Sequence, residues 1–346
     1  MKILQTMAGG DVGGAEEFLV RLASAFETRG LDQTVVVRPN EKRNPVLRAA
    51  GIDPIELPFG GWLDFRTVPA LAAEIAGKKP DIILSWMSRA SAATGKARRR
   101  ARTRTVQVGR LGGYYDLKYY QSCDHLIANT PDIVRYLVEE GWPEDRAHYV
   151  PNFVAADPGT PLPRTRLDIP EGAQLLLAAG RLHRNKAFDI LMKAMKEANE
   201  VYLALAGDGP EARALDSLAR DLGVDGRVRF LGWRNDIADL MATADMLVCP
   251  SRIEPLGNVV IEAWARNLPV IAAASEGPGW LIVDGETGLL SPVEDHRMLA
   301  AAISRIAEDR DLATRLARAG HERFETEFTD TAVVEKFLEL FEKVTG

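Results

Sequence analysis

Only two cysteines, Cys123 and Cys249, occur in 346 residues, and they lie in different halves beside apolar segments. That placement argues for two buried thiols in a reducing compartment rather than a disulfide framework. No uninterrupted apolar stretch approaches 20 residues, and Met1-Lys2-Ile3-Leu4 is too short an apolar run before Gly9 to act as a secretion signal. The expectation is a cytoplasmic protein with at most peripheral membrane contact. Basic excess is missing too: 43 Lys and Arg against 49 Asp and Glu give a net charge of −6, which argues against nucleic acid as the main partner. The dinucleotide fingerprint G-x-G-x-x-G is absent, which disfavours a dehydrogenase. So is an Asp-x-Asp following a strand. The one match, Asp309-Arg310-Asp311, sits in a charged helical stretch and reads as a solvated face, so no metal is expected.

What is present is alternation. At this length two domains are expected. In the first half, apolar runs at 4–8, 33–38, 81–87, 105–109 and 125–129 read as buried strands, and residues 15–29 carry apolar side chains at helical spacing. Thr130-Pro131 opens a further helix, as N-cap and first helical residue. Residues 155–173, with four prolines and two glycines, break the pattern and read as a linker. Strand runs then restart at 174–180, 201–207, 228–232, 246–251, 269–274 and 288–292. Helical pattern fills 296–327 and, after a break at Phe328-Thr329-Asp330, residues 330–344. Strands alternating with helices imply parallel sheets and right-handed crossovers, hence two doubly wound, Rossmann-like α/β domains.

Such domains bind ligands where strands end and helix N-termini converge. Four segments lie there. AGGDVGGAEE (8–17) has Gly9, Gly10, Gly13 and Gly14, which let the backbone approach a ligand. AGRLHRNKAFD (179–189) places Arg181 and Lys186 in one loop that opens a helix, suited to a diphosphate. AGDGPE (206–211) is a Gly-Asp-Gly-Pro turn containing Gly209. Finally, CPSRIEPLGNVVIEAWA puts Glu254 in a loop, because Pro255 disfavours helix for the residue before it. Leu256, Gly257, Asn258 and Val259 follow at the helix start, and Glu262 lies one turn in, among apolar neighbours, where a carboxylate needs partners such as ribose hydroxyls.

These segments, in this order, resemble the retaining glycosyltransferases of family 4, with the GT-B fold and the E-x7-E signature at Glu254 and Glu262. The resemblance spans essentially the whole chain. It implies two Rossmann-like domains facing across a cleft, residues 156–328 forming the nucleotide-sugar domain. Residues 1–155 form the acceptor-side domain, to which a helix in 329–346 returns. It implies a UDP- or GDP-sugar donor held without a metal or other cofactor, with Arg181, Lys186 and Glu254 as the catalytic group. Gly10, Gly13, Gly14, Gly209, Pro255, Leu256, Gly257, Asn258, Val259 and Glu262 would line the donor. Three departures stand out. Ala187 replaces a customary glycine after the lysine, and Gly279-Trp280 replaces Pro-Glu in the donor loop. Histidines are absent after the strands ending near residues 86 and 109, so Arg89 and Arg110, with Tyr114, become the acceptor-side candidates.

KARRRARTR (96–104) packs six cations into nine residues and reads as a solvated helix face or as a site for anionic lipid or phosphorylated glycan. Four tyrosines in 112–120 suit sugar stacking. The acceptor expected is a glycan or lipid-linked glycan, such as lipopolysaccharide core. The competing enzyme class is a sugar-nucleotide epimerase of the same architecture.

Overall fold

The computed structural model describes residues 1–10, 13–61 and 63–346. Asp11 and Val12 of the glycine-rich segment therefore lie outside the described residues. The chain forms two compact units, Met1–Phe153 with Asp330–Gly346, and Val154–Thr329. The sequence placed these divisions at 155/156 and 328/329.

In the first unit, β1 (Lys2–Met7) leads through α1 (Gly14–Thr28) to β2 (Asp32–Val37), α2 (Arg43–Ala49) and β3 (Ile55–Glu56). Then follow α3 (Thr67–Lys78), β4 (Ile82–Trp86), α4 (Met87–Ala101), β5 (Val106–Leu111), β6 (His125–Ala128), α5 (Pro131–Glu139) and β7 (Ala147–Tyr149). All seven strands are parallel, in the order β3-β2-β1-β4-β5-β6-β7. Ile3 lies opposite Ile82 where the order reverses. Every residue of β4 is buried, because helices cover both faces of the sheet; the sequence signal is accordingly an unbroken apolar run rather than an alternating one. Thr130 caps α5 as expected, accepting a hydrogen bond from the Ile133 N–H at 3.2 Å.

The second unit holds β8 (Gln174–Ala179), α6 (Phe188–Glu197), β9 (Val201–Ala206), α7 (Ala212–Asp221), β10 (Val228–Gly232), α8 (Ile237–Thr243) and β11 (Met246–Cys249). It continues with α9 (Asn258–Ala265), β12 (Val270–Ala273), α10 (Glu276–Leu281), β13 (Leu289–Ser291), α11 (His296–Glu308) and α12 (Arg310–Glu327). Its six strands are parallel, ordered β10-β9-β8-β11-β12-β13, with the reversal between β8 and β11. The last helix, α13 (Asp330–Thr345), packs on the first unit, where the Phe337 and Phe341 rings lie edge-on to Phe26 at 6.3 and 6.5 Å.

Two readings need correction. The proline-rich segment 155–173 is not a bare linker: Leu167 and Ile169 are buried in the second unit's core, and Arg164 pairs with Asp245 at 2.8 Å. The helical pattern 296–327 is two helices, parted at Asp309, whose carboxylate caps α12 by accepting from the Leu312 N–H at 2.9 Å. That cap accounts for the first carboxylate of the Asp-x-Asp match. Both cysteines are free and buried, and burial pushes Cys123 up to about 12 and Cys249 up to about 11.

Candidate active site

The chemistry of the second unit gathers where its strand order reverses. The loop after β8 carries Arg181 and the turn Arg184–Lys186, while the loop after the adjacent β11 carries Glu254. A strand-order reversal is the position where open parallel sheets bind ligands. The Lys186 ammonium is paired with Glu254 Oε2, which also accepts from Ser251 Oγ at 3.2 Å. Burial opposes the charge on Lys186, but Glu254, assisted by Cys249 and Glu262, outweighs it and holds the ammonium above its ordinary value. Lys186 is therefore charged at neutral pH. Arg181 is exposed and makes no ion pair among the described residues.

The Gly-Asp-Gly-Pro turn after β9 is knitted to that first loop. Leu182 N–H donates to the Asp208 carbonyl at 2.9 Å, and Glu211 N–H to the Leu182 carbonyl at 3.1 Å. A Cβ at Gly207 would stand 1.9 Å from the Gly180 carbonyl oxygen, and one at Gly209 2.4 Å from that of Leu182. Gly209, expected as a donor contact, thus has a sufficient reason in packing: it lets the turn brace the backbone that presents Arg181.

Gly257, with φ of 86°, turns the chain into α9. Leu256, Val260, Ile261, Ala263 and Trp264 are buried, whereas Pro255, Asn258, Val259 and Glu262 keep some exposure. Asn258 and Glu262 are four residues apart and share one face of the helix. At the Gly279-Trp280 departure, Trp280 lies with Trp264 against the Arg323 guanidinium, at 5.5 and 5.7 Å.

In the first unit the glycine segment after β1 has a cause that the sequence did not reveal. Gly9, Gly10 and Gly13 pack against the side chain of Glu16, a residue only 8% exposed, whose carboxylate accepts from the Gly10 N–H at 2.7 Å. A Cβ at Gly9 or Gly13 would lie 2.6 or 2.4 Å from a Glu16 oxygen. Gly13 caps α1 and Gly14 begins it. The signal available was the Glu16 that follows the glycines.

The acceptor-side candidates separate. Arg89 is exposed in the first turn of α4 and donates to the Phe59 carbonyl at 3.4 Å. With Lys96, Ser88, Ala93 and Tyr119 it lines a cavity of about 550 Å³. Tyr114, 44% exposed, donates to Asp132 and lies edge-on to Tyr136 at 5.3 Å. Arg110 is a correction: it is 3% exposed, inside the core. Its Nη2 donates to Asn152 Oδ1 at 2.6 Å and its Nη1 to the Val150 carbonyl at 3.3 Å, with Phe18, Trp86 and Phe337 rings 4.6, 5.4 and 5.1 Å away. Of the cationic run 96–104, Arg98 turns inward, pairing with Asp124 at 2.9 Å and donating to the Ser122 carbonyl at 3.0 Å. Among the described residues, no group of three or more His, Cys, Asp or Glu side chains is placed to hold a metal ion, and no helix is long and apolar enough to cross a membrane.

Two parallel doubly wound units, with cations and carboxylates beside the strand-order reversal of the second, are the architecture of the GT-B fold. The profile described as "Glycosyl transferases group 1" matches residues 162–323, and that described as "Glycosyltransferase Family 4" matches 12–157. The chain is 37% identical, over 98% of its own length and 98% of the relative's, to the lipopolysaccharide core biosynthesis glycosyltransferase LpsE of Rhizobium meliloti (strain 1021). It therefore belongs to the group 1 glycosyltransferases, of the family 4 type. Its fold matches a solved glycosyltransferase from Rickettsia africae ESF-5 (TM-score 0.89, 20% identity, 99% of this chain and 98% of that one). It also matches Anabaena HepE solved in complex with UDP (TM-score 0.87, 23% identity, 99% and 100%).

Proposed function

We propose that this glycosyltransferase moves a sugar from a nucleoside-diphosphate donor onto an envelope glycan of the lipopolysaccharide core type, with retention at the anomeric carbon. The observation that carries the donor part is the charged Lys186, held by Glu254 at the reversal of the second sheet, with Arg181 in the same loop exposed and without an ion pair among the described residues. The acceptor class follows from the likeness to LpsE along nearly the whole chain.

In this reading the bond from the anomeric carbon to the diphosphate oxygen breaks, and the leaving diphosphate takes the electron pair. Arg181, Lys186 and the backbone N–H groups at the start of α9 meet the growing negative charge without a metal. Glu262 holds the ribose. The acceptor oxygen bonds to the anomeric carbon on the face the diphosphate leaves, and its proton passes to a departing phosphate oxygen. No side-chain base is required. Arg89 and Lys96 supply positive charge for a phosphorylated acceptor.

A thermal-shift screen of UDP, GDP and ADP, with and without EDTA, tests the donor site. One of them, at 100 times its dissociation constant, should stabilise the protein by about 2.7 kcal/mol, equally in both buffers. Stabilisation by none of them removes the donor reading; stabilisation lost to EDTA and restored by magnesium removes the metal-free one. We further propose that the exposed cations of 96–104 bring the enzyme to anionic lipid at the inner face of the cytoplasmic membrane. Liposome flotation indifferent to anionic lipid content would exclude this.

A further inference from the structure

Two residues before Glu254 stands Arg252, a side chain that the sequence offered no reason to single out. We infer that Arg252 is a positioning residue: it locks the Lys186 turn to the Glu254 loop and so sets where the Lys186 ammonium stands. The inference rests on the reading of Lys186 as a ligand of the donor diphosphate.

The guanidinium reaches three elements at once. Its Nη1 and Nη2 donate to Asp189 Oδ1 and Oδ2 at 2.8 and 2.7 Å, a fork onto the first turn of α6. Nη1 also donates to the Arg184 carbonyl at 2.8 Å, and Nε pairs with Glu294, ahead of α11. The main chain repeats the tie, since the N–H groups of Arg252 and Ile253 both point at the Asn185 carbonyl, at 2.8 and 3.3 Å. Thus Arg184 and Asn185 are held through their carbonyls, and Lys186 follows immediately.

Backbone conformation agrees. Ala187, directly after Lys186, has φ of 53°, and Glu294 has φ of 67°. Non-glycine residues stay in that region only where their surroundings over-determine them. Arg252 meets one at its carboxylate and holds the turn leading into the other.

Arg252 cannot itself serve as a free ligand for phosphate. Its side chain is 17% exposed and its donors are committed to protein. Donation to the Asp189 carboxylate holds its pKa above the ordinary arginine value against the opposing effect of burial, with Glu294 adding to it. Arg181, exposed and without an ion pair among the described residues, is the contrasting case. A lysine at 252 would keep the charge but not the planar fork.

The test is a double-mutant cycle on nucleoside-diphosphate affinity, measured by calorimetry with UDP, GDP and ADP in turn. Arg252→Ala should weaken the preferred diphosphate on the order of 10- to 100-fold, the scale of a misplaced polar contact. Arg252→Lys should recover only part of this. In a Lys186→Ala background, Arg252→Ala should cost almost nothing more, because it acts through the lysine. Additive losses would make Arg252 a general structural residue, and wild-type affinity in Arg252→Ala would remove any role; either overturns the inference alone. Wild-type affinity in Lys186→Ala overturns the donor-site reading and the inference with it. Should Arg252→Ala fail to fold, Arg252→Lys carries the same comparison, its loss vanishing or persisting in the Lys186→Ala background.

Discussion

Lys186→Ala is expected to slow sugar transfer by about 10²–10³-fold in kcat, the usual cost of one preorganised charge-stabilising donor. The lysine already stands charged in a partly buried site, so little reorganisation is needed when the diphosphate departs. The loss should fall more on kcat than on the donor KM, because the leaving group carries more negative charge in the transition state than in the bound donor. Removing the ammonium also strands Glu254, whose side chain is only 14% exposed, so some stability should go with the rate. Lys186→Ala with Glu254→Gln separates the two effects: it relieves the stranded carboxylate without returning the cation. Steady-state kinetics with the donor found by thermal shift, beside a melting curve for each variant, makes the measurement. A single variant with wild-type kcat would remove Lys186 from the chemistry, whatever happened to its stability.

The strands and the position of the loops carrying Arg181, Lys186 and Glu254 were legible because parallel sheets covered on both faces write themselves as apolar runs, and loops follow those runs. β4 and β8 are cases in point: IILSW and QLLLAA are apolar almost throughout. Short elements were not. β3 has two residues, too few for any period, and α2 has seven, with Pro45 inside its first turn. Asp309 was unreadable as a break because the apolar spacing continues across it; only the side chain's choice of backbone partner parts the helices. The glycine segment was read for its freedom, when much of its composition answers to the bulk of one carboxylate, Glu16. Arg252 was invisible for a related reason. Its three anchors lie at 184, 189 and 294, and a single sequence gives no measure of proximity between residues so far apart.

Arg110 shows the same gap at its widest. A cation at the end of a strand read as an offered ligand, yet burial pushes this guanidinium down to about 9, which still leaves it charged at neutral pH. It is held by a carbonyl, an asparagine and three aromatic faces, one of which, Phe337, belongs to α13. Arg110→Ala should therefore lower the stability of the first unit by about 3–5 kcal/mol, the range for emptying a large buried side chain. α13 should loosen with it, since Phe337 loses its neighbour. Arg110→Met keeps most of the volume and removes a buried charge, so it should stay within about 1.5 kcal/mol of the parent. Urea midpoints read on the first unit's own transition make the comparison, because a chain of two units need not unfold in one step. The methionine variant decides between core and ligand. If it keeps its stability but loses acceptor turnover, the guanidinium returns to the acceptor; if it keeps both, the charge serves only to tie the end of β5 to the last helix.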